Sequence, residues 1–213
     1  MTVRVKVCGI TRLEDARLAA ALGGAAVGFN FWRGSPRCIT PSQARRIGEV
    51  LPPQVARIGV FVNATAPEIE RVASAAALSA VQLHGDEPPW LAGALPLPVV
   101  RAFRRCGPEA AAELVRYPCA AVLLDASVPA AYGGTGQLAD WQLAERVARA
   151  RKLILAGGLG PHNLQDAIAA VRPYAVDLNS GVERAPGQKD PALLHQAFAV
   201  LARWMPARDD VFL

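Results

Sequence analysis

Three polar side chains stand at the ends of apolar, strand-like runs in this sequence. Cys8 closes an alternating run that begins at Val3, Asp125 follows a second run, and Asp177 lies near the end of a third. In a parallel α/β protein, the carboxyl ends of the strands meet on one face, and reactive groups are placed there. A thiol and a carboxyl group on that face could serve as a base and an acid.

The acid role of Asp125 needs a particular environment. An aspartic acid donates protons near neutral pH only when its pKa is raised from about 3.9 by desolvation or by a nearby negative charge. Asp177 or an anionic substrate could supply that charge. The structural alternatives are that Cys8 packs as a small buried apolar residue and that Asp125 caps the next loop.

Two glycine-containing loops indicate an anion site. Gly157 and Gly158 follow one predicted strand, and Ser180 and Gly181 follow the next. Glycines let backbone N–H groups approach an anion without interference from a Cβ atom, and barrel enzymes often bind phosphate at the loops after their last two strands. We therefore predict phosphate binding at these four residues; the alternative is that the glycines only form tight turns.

Arg37 and His84 are the remaining candidates for the site. The planar guanidinium of Arg37 can hold a carboxylate through two parallel hydrogen bonds, whereas a solvated arginine near a helix start is the structural alternative. His84 follows the fourth predicted strand and is expected either to line the site or to serve a structural role.

The elements that must position these residues alternate along the chain between short apolar runs and helical stretches. Eight such units favour a closed (β/α)8 TIM barrel, in the α/β class, as a single domain over residues 1–213. The first turn lacks the G-x-G-x-x-G spacing of a doubly wound dinucleotide-binding sheet. Predicted strands are 3–8, 26–31, 56–62, 80–83, 99–103, 120–124, 153–155 and 174–178; predicted helices are 13–22, 41–50, 67–77, 88–94, 108–116, 140–149, 161–171 and 191–203.

Six of the eight predicted helices begin with proline, which suits the first helical position. Thr40, Ala66 and Asp190 precede three of these prolines and are expected to cap or to turn the chain. The glycine-rich segment 132–136 is interpreted as a mobile lid over the site.

Composition excludes several classes of function. The chain has 213 residues, 52% hydrophobic and 19% charged, which is typical of a globular protein. Its net charge is +5, but the basic residues occur singly or in short pairs without interleaved aromatics, so no nucleic-acid partner is expected. No run of membrane-spanning length and no leader-like segment before the first strand are found, so we predict no membrane association and a cytoplasmic location.

The cysteines and histidines do not form a metal-binding or disulfide pattern. Cys8, Cys38, Cys106 and Cys119 contain no C-x-x-C pair, and there are only three histidines. We therefore expect neither a zinc site nor a disulfide framework.

A resemblance to a known family spans nearly the whole chain. The segment KVCGIT at 6–11 resembles the amino-terminal signature of the phosphoribosylanthranilate isomerase family of tryptophan biosynthesis. Further matching segments follow in order: SPR at 35–37, GVFVN at 59–63, VQLHGD at 81–86, LLD at 123–125, GGTG at 133–136, LAGGL at 155–159, SGVE at 180–183 and PGQKD at 186–190. The sequence departs from the family pattern at Asn30 and Asn179, among other positions.

The resemblance implies an Amadori rearrangement of N-(5-phosphoribosyl)anthranilate to an aminodeoxyribulose phosphate, without cofactor or metal. It implies that Cys8 is the general base, that Asp125 is the general acid, that Arg37 faces the anthranilate group and that Asp177 contacts the ribose. The expected partner is a small phosphosugar, and the chain is expected to be a monomer or a homodimer.

Two other functions remain as alternatives. The first is another phosphosugar isomerase on the same fold, such as one of histidine biosynthesis; those enzymes pair two aspartates, so Cys8 disfavours this alternative. The second is a barrel that binds a phosphorylated ligand without catalysis, which the presence of both Cys8 and Asp125 disfavours.

Overall fold

Eight parallel strands close into one barrel in the computed structural model, which describes residues 1–103, 114–125, 136–205 and 212–213. Each strand pairs with its neighbours in chain order, and β1 pairs with β8 to close the ring. This confirms the predicted (β/α)8 barrel. The strands are β1 Arg4–Val7, β2 Ala26–Asn30, β3 Ala56–Phe61, β4 Ala80–Leu83, β5 Val99–Phe103, β6 Ala121–Asp125, β7 Leu153–Ala156 and β8 Ala175–Leu178.

Helices alternate with these strands, as the sequence pattern predicts. The described α-helices are Leu13–Ala21, Pro41–Gly48, Ala66–Ala76, Pro89–Ala94, Gly136–Ala150, Leu164–Val171 and Pro191–Leu201. The predicted helix 108–116 has its first six residues outside the described part of the chain. Residues 132–135 of the predicted lid and Cys106 also lie outside it.

The observed starts of two helices differ from the predicted ones. Ala66 does not cap its helix: Thr65 does, and the Glu68 carboxylate accepts hydrogen bonds from the Thr65 N–H and hydroxyl at 2.9 and 2.7 Å. Pro161 does not begin a helix, because the Asn163 side chain bonds the loop backbone at Gly160 instead. The helix therefore begins at Leu164.

Thr40 and Asp190 act as caps, as predicted. The Thr40 hydroxyl accepts a hydrogen bond from the backbone N–H of Gln43 at 3.2 Å. The Asp190 carboxylate accepts bonds from the first turn of the last helix. Both caps fix the start of a helix that packs on the outside of the barrel.

An additional element follows β8 and was absent from the sequence prediction. Ser180–Val182 form a short 3-10 helix, after which Glu183–Ala185 (β9) pairs antiparallel with Gln188–Lys189 (β10). This small hairpin lies at the carboxyl end of the barrel and supplies two charged side chains to the site.

Apolar side chains fill two separate cores. One lies between the strands and the surrounding helices, and the other fills the barrel itself. The strand periodicity of two produces this division, because alternate side chains point inward and outward. Near the chain end, Phe212 is fully buried in the inner core, and its carbonyl accepts a hydrogen bond from the Tyr174 hydroxyl. Within the described residues, no helix combines the length and apolar character needed to cross a membrane.

Candidate active site

The first strand places Lys6 and Cys8 on the same, inward face of the barrel. The two residues are separated by one position, so their side chains point in the same direction. Cys8 is 7% exposed, at the carboxyl end of β1. Space for its sulfur exists because β2 has Gly28 alongside: a Cβ atom at that position would lie 2.6 Å from the Cys8 Sγ.

Lys6 and Asp177 form a buried ion pair beside Cys8. The β1–β8 register sets these two residues opposite each other, and the Lys6 Nζ lies 2.6 Å from the Asp177 Oδ2. Burial lowers the pKa of Lys6, but the interactions with Asp177 and Cys8 together more than offset this, and the pKa of Lys6 is raised from its ordinary value. Lys6 is therefore a cation inside the barrel.

The second carboxylate oxygen of Asp177 has no hydrogen-bond donor among the described residues, although it is buried. An unpaired buried acceptor is costly. The Asp177 Oδ1 is therefore suited to accept a hydrogen bond from a bound hydroxyl group.

Opposing effects act on the Cys8 thiol. Burial raises its pKa above the ordinary value, and this effect dominates. The positive charge of Lys6 lowers the pKa of Cys8, the Asp177 carboxylate raises it, and Lys189 lowers it more weakly. The free site thus holds a thiol whose ionisation depends on the cations around it.

Asp125 ends β6 at the same face. It is half-buried and pairs in register with Ala156, the residue before the two loop glycines. The charge of Asp125 reaches Asp177 across the barrel mouth. Cys8, Asp125 and Asp177 therefore converge at one end of the barrel.

Arg37 is held by Glu183, a partner that was not predicted from the sequence. Its Nε donates to both carboxylate oxygens of Glu183, at 3.0 and 3.1 Å, and its Nη2 donates to Oε2 at 2.5 Å. The Arg37 side chain is only 18% exposed, so it is not a solvated surface residue. This pair occupies one edge of the guanidinium, and the opposite edge, Nη1 with the second N–H of Nη2, is not committed to Glu183.

Lys189 completes the charged cluster around Glu183. Its side chain is fully buried, and its Nζ donates to Glu183 Oε1 at 2.9 Å and to the Asn179 side chain at 3.1 Å. Glu183 therefore bridges two cations. Burial opposes the ionisation of Glu183, but the bonds from Arg37 and Lys189 prevail and lower its pKa.

The loops after β7 and β8 lie backbone against backbone. A Cβ atom at Gly181 would lie 2.2 Å from the carbonyl oxygen of Leu159. Gly157 and Gly158 have φ values of 99° and 62°, a region that favours glycine. A Cβ atom at Gly158 would meet no atom of the described residues within 4 Å, so among them open space lies over this residue.

His84 lies at the carboxyl end of β4 beside Gln82. The Gln82 side-chain amide and the His84 Nδ1 are 2.9 Å apart. When the amide donates, this bond fixes the neutral imidazole with its proton on Nε2. Gln82 is 1% exposed, so it holds the ring from below, within the barrel.

Three charged residues of this region, Lys6, Glu183 and Lys189, were not predicted as site residues from the sequence. Lys6 was detectable, because it shares the inward face of an alternating strand with Cys8. Glu183 and Lys189 lie in the family-like segments SGVE and PGQKD, but no periodic pattern indicates where their side chains point. Among the described residues, no cluster of three or more metal-ligating side chains occurs, and Cys8, Cys38 and Cys119 are free thiols.

The closed eight-stranded barrel, with polar and charged groups gathered at the carboxyl ends of its strands, is the architecture of a (β/α)8-barrel enzyme. The sequence matches the family model described as N-(5'phosphoribosyl)anthranilate (PRA) isomerase over residues 5–200. The chain belongs to this family. It is therefore an aldose–ketose isomerase of tryptophan biosynthesis, and the family match decides against the two alternative functions.

Individual relatives are similar along nearly the whole chain. An N-(5'-phosphoribosyl)anthranilate isomerase of Citrifermentans bemidjiense is 47% identical over 196 residues, which is 92% of this chain and 95% of that protein. A phosphoribosylanthranilate isomerase structure in complex with reduced 1-(o-carboxyphenylamino)-1-deoxyribulose 5-phosphate has a TM-score of 0.84 and 41% identity. It covers 95% of this chain and all of that one.

A third relative bears on assembly. Monomers generated from the dimeric phosphoribosylanthranilate isomerase of Thermotoga maritima give a TM-score of 0.84 at 40% identity, covering 95% of this chain and all of the other.

Proposed function

We propose that Cys8 and Asp125 catalyse the conversion of N-(5'-phosphoribosyl)anthranilate to 1-(2-carboxyphenylamino)-1-deoxyribulose 5-phosphate. Asp125 transfers a proton to the ring oxygen of the furanose while the bond between that oxygen and C1 breaks. The product of this step is an open chain with an iminium group between C1 and the anthranilate nitrogen. The ring opening therefore needs an acid at the barrel mouth, and Asp125 stands at the end of β6.

The Cys8 thiolate then removes the proton from C2. The electrons of that C–H bond form the C1–C2 double bond, and the iminium electrons return to nitrogen, which gives an enolamine. The enol hydroxyl then gives its proton to the Asp125 carboxylate and the Cys8 thiol returns a proton to C1, so the ketone forms at C2 and both side chains are restored. The iminium charge favours the ionised thiol, which offsets the burial that raises the pKa of Cys8.

The remaining candidate residues hold the substrate. We propose that the backbone around Gly157, Gly158, Ser180 and Gly181 binds the phosphate, and that the Asp177 Oδ1 accepts a hydrogen bond from a ribose hydroxyl. His84 lines the opposite side of the site. Burial raises the pKa of Asp177, and the Lys6 ammonium 2.6 Å away opposes this by favouring the carboxylate form, which accepts a hydrogen bond.

The observation that carries the proposal is the convergence of Cys8, Asp125 and Asp177 at the mouth of the barrel. The reaction is tested with substrate labelled with ¹³C at C2, incubated with the enzyme in the presence of a chelator. We expect the C2 signal to move into the ketone region at constant mass. Persistence of the substrate signal at its spontaneous rate of change would contradict the proposal.

Arg37 is proposed to bind the anthranilate carboxylate through the guanidinium edge that Glu183 leaves available. Arg37→Ala should weaken substrate binding by roughly 2–5 kcal/mol if the pair is desolvated. Arg37→Lys should recover only part of the loss, because an ammonium cannot form two parallel bonds. KM values and inhibitor affinities measure this effect.

An inhibitor pair provides the control for Arg37. An analogue without the carboxylate should bind wild type much more weakly than its parent, and this difference should largely vanish in Arg37→Ala. An unchanged difference would show that another loop residue, such as Arg33, reads the carboxylate.

Gly158 tests the phosphate site. Gly158→Val should raise KM strongly, because the branched side chain enters the open space proposed for the anion. Gly158→Ala is the matched control, since it shares the positive φ and its strain but has a smaller side chain. KM should rise much more for valine than for alanine. A wild-type KM in Gly158→Val, or substrate phosphate bound near Arg45 and Arg46, would refute the assignment.

The domain organisation and the partners of the chain are proposed as well. We propose one barrel domain over residues 1–213, acting on a phosphosugar and on no nucleic acid. A dimeric relative is known, and a monomer or homodimer remains the prediction for this chain. The cytoplasmic location also remains a prediction.

A further inference from the structure

Lysine is rare in this chain and is concentrated at the site. The 23 basic residues comprise 20 arginines and three lysines. Lys6 and Lys189 are both fully buried near Cys8, whereas Lys152 is exposed at the opposite end of the barrel, with its Nζ 5.1 Å from the Tyr174 ring. Most of the described arginines are at least partly exposed. The catalytic face thus contains two compact, buried ammonium groups.

The Lys189 ammonium is fixed from several directions. Its Nζ bonds Glu183, the Asn179 side chain and the Asn179 carbonyl, and its backbone N–H bonds the buried Asp15 carboxylate at 3.0 Å. Holding a cation in this way removes the entropic cost of positioning it at each turnover. Burial lowers the pKa of Lys189, whereas the hydrogen bond and the charge of Glu183 act in the opposite direction and favour the ammonium form.

This cluster packs directly on the turn that follows Cys8. A Cβ atom at Gly9 would lie 2.7 Å from the Asn179 Oδ1 and 2.5 Å from the Arg37 Cδ. The partners of Lys189 and of Glu183 thus contact the residue next to the thiol. Gly9, with φ of 70°, permits this approach.

The charges that face Cys8 are unequally compensated. Asp177, on β8, is paired with Lys6 and also faces Asp125 on β6. Glu183 is a single carboxylate shared by two cations, Arg37 and Lys189. The hairpin side of the thiol therefore has an excess of positive charge, and both Lys189 and Arg37 interact electrostatically with Cys8.

We propose that Lys189 is a positioning residue for Cys8: its buried ammonium favours the ionised thiol, and Glu183 limits how much of this positive charge the thiol experiences. The catalytic consequence rests on the proposed role of Cys8 as the base. The charge effect itself is a property of the free protein and is measured without substrate.

The test is a pH titration of thiolate absorbance at 240 nm, taken as the difference between each protein and the same protein with Cys8→Ser. Lys189→Met removes the cation, and we expect the Cys8 midpoint to rise by about one pH unit. Glu183→Gln removes the shared carboxylate and should shift the midpoint in the opposite direction. Lys152→Met is the matched control and should leave the midpoint unchanged.

If Lys189 had a purely structural role, the Cys8 midpoints of Lys189→Met and Glu183→Gln would not shift in opposite directions. An unchanged midpoint in folded Lys189→Met would overturn the proposal. If Lys189→Met does not fold, Glu183→Gln decides alone, because an unchanged or raised midpoint there contradicts the proposal.

The pH dependence of kcat/KM separates this inference from the proposed function. If the Cys8 midpoint and the alkaline limb of the kcat/KM profile shift together, the result supports both the charge effect of Lys189 and the role of Cys8 as the base. A midpoint that shifts while the kinetic limb stays fixed supports the charge effect of Lys189 and counts against Cys8 as the base.

Discussion

Replacement of Cys8 by alanine or serine is expected to lower kcat by at least about 100-fold while leaving the barrel folded. The change removes the base and little packing, since the sulfur occupies a small space beside Gly28. A serine hydroxyl does not ionise at accessible pH, so Cys8→Ser should be as inactive as Cys8→Ala. Steady-state kinetics with each variant, together with circular dichroism for the fold, measures the effect.

The pH profile gives the same assignment a second readout. Burial raises the pKa of Cys8, so the thiolate of the free enzyme becomes more abundant as pH rises. Wild-type kcat/KM should therefore show a rising limb in the alkaline range, and this limb should be absent in Cys8→Ser. Cys119→Ser, at a partly buried free thiol before β6, is the control and should keep wild-type kinetics. Wild-type turnover in Cys8→Ala would reject the base assignment.

Asp125→Asn is expected to cause a comparable loss, again of at least about 100-fold in kcat. The amide keeps the shape of the carboxyl group, but it cannot deliver a proton to the ring oxygen. Because binding contacts are largely retained, KM should change much less than kcat. Kinetics over a range of pH measures both parameters.

The control for Asp125 is an exposed aspartate that has no proposed role in the reaction. Asp166, exposed in the first turn of helix Leu164–Val171, meets this requirement, and Asp166→Asn should retain wild-type activity. A normal kcat with an unaltered pH profile in Asp125→Asn would exclude it as the acid.

The barrel fold could be predicted from the sequence because each strand and helix has a local sequence pattern. The runs at 80–83 and 99–103 coincide with β4 and β5 as observed, since short apolar segments bounded by turn residues leave little freedom in their limits. Helix starts were less predictable. Thr65 rather than Ala66 caps its helix, because the capping bond depends on the Glu68 side chain three residues ahead.

The candidate site was predictable only where a residue's position along a strand decides its direction. Cys8 and Asp125 end strands, so alternation places them at the mouth. The pairing of Arg37 with Glu183 joins residues 146 positions apart, through a hairpin that has no apolar alternation. No local sequence pattern predicts a contact between residues so far apart in the chain. Which edge of the Arg37 guanidinium remains available can be seen only in the folded structure.

Cys8 and Asp125 are proposed to catalyse the isomerisation as a pair. The most direct measurement mixes freshly made phosphoribosylanthranilate with wild type and with the Cys8→Ala, Asp125→Asn double variant, and follows the loss of anthranilate-type fluorescence. We expect rapid loss of fluorescence with wild type and only the spontaneous rate with the folded double variant. Equal rates of fluorescence loss with the two proteins would contradict this proposal.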